Sequence, residues 1–217
     1  MTTRLLLLPL LLLVIAGCTT PQHEDSWRYE AAAATKAYGE YYLKEDWVLI
    51  ESESIQAVRS AKQSADLMPL ARFYLSRCAL HRAVLLEDDC RDYLETAAVE
   101  RYDELDAYYA MLEGNLTERR VWDLPYQYRD FARAVLKGDG ARIRTAVAAV
   151  TPLQSQMVAA SLGLEHLDEP LIEAIIDEAS RLGYRRAVIA WMRYLEGVSA
   201  DAAKREKLRN TLKLLEE

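Results

Sequence analysis

The run Ser26-Trp27-Arg28-Tyr29-Glu30-Ala31-Ala32-Ala33-Ala34-Thr35-Lys36-Ala37-Tyr38-Gly39-Glu40-Tyr41-Tyr42-Leu43-Lys44 decides the fold class. Its residues Trp27, Ala31, Ala34, Tyr38, Tyr41 and Tyr42 recur at steps of three and four, the repeat of an amphipathic α-helix and not the two-residue alternation of a strand. Ser26 stands where an N-cap belongs. The same period continues outward along the chain. A second helix is predicted from Asp46 through Ala65, with Trp47, Ile50, Ile55 and Val58 as its apolar stripe. Further segments fall near 70–86, 90–113 with a break around Glu100, 123–137, 141–149, 152–163, 169–182, 184–196 and 200–216.

The punctuation between these segments has a physical reading. Pro69, Pro125, Pro152 and Pro170 sit where a first helical turn tolerates a missing N–H. Gly114, Gly138, Gly163, Gly183 and Gly197 fall where a helix should end in the left-handed conformation. Strand signals are nearly absent, and Ala, Leu, Glu and Arg dominate. The chain is therefore expected to be all-α, built of antiparallel helical hairpins joined by short connections.

The stretch Ala179-Ser180-Arg181-Leu182-Gly183-Tyr184-Arg185-Arg186-Ala187, followed by Trp191, Tyr194 and Leu195, loosely resembles the end of one tetratricopeptide helix and the start of the next. That family places a small residue, a Gly-containing turn, an aromatic and an Ala where two helices approach closely. The resemblance implies a superhelix of helical hairpins, and a compact irregular bundle is the other architecture open to the sequence. The basic final segment, with Lys204, Arg205, Lys207, Arg209 and Lys213 beside Leu208, Leu212 and Leu215, reads as a cap on the array.

Ahead of Ser26 the chain changes character. Arg4 precedes an apolar run from Leu5 to Ala16, a length too short to span a bilayer as a helix. The run closes on Ile15-Ala16-Gly17-Cys18, which resembles the lipobox of bacterial lipoproteins. The resemblance implies that residues 1–17 are a signal peptide and that Cys18 becomes the first mature residue. Its sulfur would carry a diacylglyceryl thioether and its amine a further acyl chain, of which palmitate is the type. Two or more chains give stable anchoring. Residues 18–26 then form a lipidated terminus and polar spacer, and 27–217 the helical domain. Thr19 stands where an aspartate would favour retention at the inner membrane, so the outer membrane is the expected address, with the domain facing the periplasm.

The formal net charge of −7 excludes whole classes of partner. Arg4 is the one charged residue of the signal, so the mature chain is more acidic still. Such a surface repels nucleic acid and anionic lipid heads. Cys78 and Cys90 are the remaining cysteines. On one continuous helix they would stand about 18 Å apart, beyond disulfide reach. A bond between them requires the chain to reverse, for which Glu87-Asp88-Asp89 is the candidate turn; two buried free thiols are the alternative.

The search for chemistry yields little. His23, His81 and His166 make no metal-binding spacing, and no cofactor motif is present. Cys78 and His81 stand three apart and could share a helix face, yet no third catalytic partner accompanies them. Asn115-Leu116-Thr117 reads as a turn after a helix. Ile50-Glu51-Ser52-Glu53-Ser54, with Ala57-Val58, Ser60 and Leu67-Met68, resembles the Glu-Ser region of lytic transglycosylases, and Asp106-Ala107-Tyr108-Tyr109-Ala110 is faintly similar to their later segment. This implies Glu53 as a general acid. In this chain Asp66 replaces the family's Gly, Pro69 its Gln and Tyr109 its Asn.

Thirteen tyrosines and four tryptophans against two phenylalanines are a compositional bias toward side chains with an apolar body and a polar tip, suited to half-buried grooves and interfaces. They cluster at Tyr38, Tyr41 and Tyr42, at Tyr102, Tyr108 and Tyr109, and at Tyr126 and Tyr128. The expectation is a lipid-anchored interaction or scaffolding protein of the envelope with a protein partner, not an enzyme; a peptidoglycan-cleaving enzyme using Glu53 is the alternative.

Overall fold

The computed structural model describes residues 26–217. The signal, Cys18, His23 and residues 19–25 of the spacer lie outside the described residues. Within them the chain is all-α: eleven α-helices, three short 3-10 segments and no strand.

Helix α1 spans Ser26–Lys44 and buries Ala31, Ala34, Tyr38 and Tyr42. Glu45 takes a positive φ of 66° to reverse the chain. Asp46 then caps α2 (Trp47–Ala61) by accepting from the Leu49 amide at 3.2 Å. The stripe expected on α2 is not its buried face. Trp47 and Ile55 are exposed, Ile50 and Val58 are partly covered, and Ala57, Ser60 and Ala61 are the buried residues. Small side chains let α2 lie close on α1, and the buried Ser60 hydroxyl is satisfied by Glu30 of α1 at 3.2 Å and Gln56 at 3.0 Å. Helix α2 also ends before Ala65. The Ser64 and Asp66 side chains accept from the amides of Asp66 and Met68, offering the backbone an alternative to the helical ladder.

Helix α3 (Met68–Ala83) has Pro69 in its first turn, as α9 (Glu169–Arg181) has Pro170. The expected segment 90–113 is broken into α4 (Arg91–Ala97) and α5 (Asp103–Leu112). The segment near 123–137 is shorter than expected as an α-helix. Pro125 and Leu124 are extended, with ψ of 138° and 150°, and two 3-10 turns, Glu118–Asp123 and Tyr126–Tyr128, precede α6 (Arg129–Leu136). A proline biases its predecessor away from the helical region, so the start moves downstream. Helices α7 (Gly140–Ala149), α8 (Leu153–Leu162), α10 (Arg185–Val198) and α11 (Ala202–Glu216) complete the fold. Gly197 lies inside α10, and Gly163 keeps a negative φ of −113°. Gly163 is needed for space instead: a Cβ there would stand 3.0 Å from the Ile143 side chain.

Neighbouring helices pair as hairpins, but α1 also packs on α10, and α3 on α8. An open array of repeats makes contacts only between neighbours. The chain is therefore closed on itself as an irregular bundle around one core that includes Phe73, Tyr93, Phe131, Met157, Ile175 and Trp191. No described helix is long and apolar enough to cross a membrane.

Candidate functional site

Because α3 rests on both α1 and α8, its face from Met68 to Leu80 forms the base of a groove between them. Helix α1 lines it with the small residues Ala31, Ala32, Thr35 and Gly39 and with the longer Arg28 and Lys36. At Gly39 an added Cβ would stand in ordinary contact with Leu80 at 3.4 Å and the Gln154 amide at 3.6 Å, so α3 and α8 pack closely over this glycine. Helix α8 supplies Gln154, Ser155 and Val158. The hollow has a volume of about 550 Å³. A second hollow of about 470 Å³ shares Arg72, Ser76, Tyr108, Tyr128 and Ser155 with it and extends the groove toward Leu105 and the segment Asp123–Arg129.

Tyr108 and Tyr128 stand where the two hollows join. Their hydroxyls lie 3.2 Å apart and their rings 5.3 Å. Burial pushes the Tyr108 hydroxyl well above its ordinary range, and the Tyr128 hydroxyl upward too. Both stay neutral and able to donate as well as accept. The groove's charged groups come from its rim. Arg28 pairs with Asp66 at 3.2 Å, and Arg72 pairs with Glu104. Lys36, exposed two turns beyond Arg28 on α1, makes no ion pair among the described residues.

No protein-family model, curated protein or solved structure matches this chain.

The residues singled out in the sequence fall in several places. Cys78 and Cys90 form a disulfide, with Cα atoms 5.3 Å apart. Beyond Ala83 the chain turns back through Leu85 at φ 61° and Cys90 at φ 51°, while Asp88 accepts from the Cys90 amide at 2.7 Å. The Asp88 carboxylate also pairs with His81 Nδ1. Cys78, Cys90 and Asp88 have ligand atoms within 4.8 Å of one another, but both sulfurs are committed to the bond. Glu53 is half-buried on α2 and does not line the groove. His166 lies against Gly140 and beside Glu165, at 3.3 Å.

Of the tyrosine clusters, Tyr38 and Tyr42 are core, Tyr108 and Tyr128 reach the groove, and Tyr126 is exposed. Trp47 is held at the surface by Arg186, whose guanidinium lies 4.7 Å from the Trp47 ring and 4.1 Å from the Tyr42 ring. Two features escaped sequence reasoning. The Ala31, Thr35 and Gly39 row was legible only as small residues four apart. Asp106 was named only within the segment Asp106–Ala110, yet it is buried and accepts from Tyr93 at 2.8 Å and Arg101 at 2.7 Å.

Proposed function

We propose that this chain is an interaction or scaffolding protein of the bacterial cell envelope, and that the groove along α1 receives a segment of a partner protein. The observation that carries the reading is the groove: a long hollow floored by residues without bulk, with neutral tyrosine hydroxyls at its waist and charged groups at its rim. Protein recognition uses this combination of apolar surface and a few fixed polar groups. The Ile15-Ala16-Gly17-Cys18 motif supports a lipid anchor on Cys18, and Thr19 supports the outer membrane as its address, with the helical domain facing the periplasm.

The test is site-specific photo-crosslinking in living cells. A photoreactive residue at Thr35, in the groove, should give discrete adducts, and the same residue at the exposed Thr145 on α7 should not. Ala32→Trp, which fills the groove from an exposed position, should abolish the Thr35 adducts. Adducts that persist in the filled variant would remove the groove from the function.

A further inference from the structure

The groove's charge runs opposite to that of the molecule. The chain carries a net −7, yet the main hollow is lined by three cations, Arg28, Lys36 and Arg72, and by one carboxylate, Asp66. Asp66 is already occupied by Arg28, and Glu104 on the adjoining rim by Arg72. Lys36 is left as the cation with no ion pair among the described residues, beside a floor formed by Thr35 and Gly39. From this we infer that the groove selects an extended peptide segment of a partner that carries an acidic side chain, seated with its carboxylate at Lys36. The inference rests on the reading of the groove as a partner site and names the partner's chemistry.

The extended form follows from the floor. A helix docking in a groove needs large apolar holes for anchors spaced three and four residues apart. Here the α1 wall is Ala31, Ala32, Thr35 and Gly39, whose small side chains leave no such holes. At the waist the Tyr108 and Tyr128 hydroxyls are satisfied by each other at 3.2 Å and stay neutral, so no fixed charge competes with Lys36 there. The acidic preference follows from the rest of the surface, because a net-negative protein repels acidic chains everywhere except where cations are gathered. Long-range repulsion and local attraction together favour such a segment at this groove over the acidic surface around it.

The experiment uses the purified full-length protein in detergent micelles as bait for a library of random decapeptides displayed on phage. The selected peptides should be enriched in Asp and Glu. A synthetic peptide of the selected consensus should bind at least about tenfold more weakly to Lys36→Glu than to the wild type, should bind Lys36→Arg nearly as well as the wild type, and should weaken as salt rises past physiological strength. Ala32→Trp should abolish binding. Lys36 and Ala32 are exposed, and helical circular dichroism identical to the wild type confirms that each variant is folded. Peptides without acidic enrichment that are nevertheless lost in Ala32→Trp would overturn the acidic preference and leave the groove as a partner site. Peptides indifferent to Ala32→Trp, or no selection at all, would overturn both.

Discussion

The indole N–H of Trp191 donates to the main-chain carbonyl of Ala83 at 3.0 Å, joining residues 108 positions apart. Trp191 is wholly buried on α10, and Ala83 is the last residue of α3, where carbonyls have no partner within their own helix. One side chain thus caps the helix that floors the groove and fastens the C-terminal hairpin onto it. Trp191→Phe keeps most of the apolar bulk but strands the carbonyl, and should lower stability by about 1–3 kcal/mol. Trp191→Ala adds a cavity and should cost about 3–5 kcal/mol or more. Urea midpoints measure both, and a Phe variant as stable as the wild type would show that the hydrogen bond contributes nothing.

The Cys78–Cys90 disulfide closes a short loop, with a sequence separation of 12. Such a loop limits the unfolded chain by about 3 kcal/mol in the entropy model. Full-length protein should therefore unfold at distinctly lower urea when denatured in the presence of a dithiol reductant. Cys78→Ser with Cys90→Ser should match the reduced wild type and should be unaffected by the reductant. Coincident curves for oxidised and reduced protein would mean that the bond adds no constraint.

Asp106 joins α4 to α5 through two unequal contacts. Its Tyr93 partner is buried, whereas Arg101 is 73% exposed. Desolvation and the Asp106 hydrogen bond both raise the Tyr93 hydroxyl, so that contact stays a neutral donor to a buried carboxylate. Removing Arg101 with Ala should leave stability nearly unchanged, since solvent already screens that pair. Asp106→Ala leaves the buried Tyr93 hydroxyl without its acceptor and should cost about 1–3 kcal/mol, and Asp106→Asn, which keeps an acceptor, should cost less. Equal losses from Arg101→Ala and Asp106→Ala would reverse this ranking.

The buried phenols set the alkaline limit. Burial pushes Tyr38 up to about 12, and Tyr93 and Tyr108 shift in the same direction for the same leading reason. Above the ordinary phenol range near 10, the unfolded chain releases protons that the folded chain still holds, so stability falls with rising pH. The contribution is complete below about pH 10 and is lost as pH climbs toward about 12. Melting temperatures taken from pH 8 to 11.5 should hold steady and then decline above about 10. A profile that stays level to 11.5 would contradict the burial of these hydroxyls.

Helical content was legible because periodicity and caps are local: Ser26–Lys44 as α1, the turn at Gly183 and the proline starts of α3 and α9 follow from neighbours in sequence. The closure of the bundle was not. Contacts of α1 with α10 and α3 with α8 depend on distant surfaces that fit, and no local signal encodes them. The α2 stripe misled for the same reason. Period places Trp47 and Ile55 among apolar positions, but an outer helix packed chiefly on α1 buries its small residues and leaves the large ones outside. The groove was equally invisible, since Ala31, Thr35 and Gly39 become one wall of a hollow only when α3 and α8 pack beside them.

If the chain is anchored by lipid at Cys18, the anchor's contribution is to place and not to fold. The buried residues of the described core run from Ala31 to Leu212. An exported form with Cys18→Ala should incorporate no palmitate, yet melt within about 1 °C of the lipidated protein, since substitutions that leave a core unchanged are close to neutral for stability. Its effect on a partner in the envelope should nevertheless be weak at native expression, because a shared membrane raises effective concentration without adding any contact. Overexpression should restore it in part by mass action. Complementation of a deletion strain, scored at both expression levels, separates the cases: full rescue by the unanchored form at native level would mean that the domain acts freely and that the membrane contributes only an address.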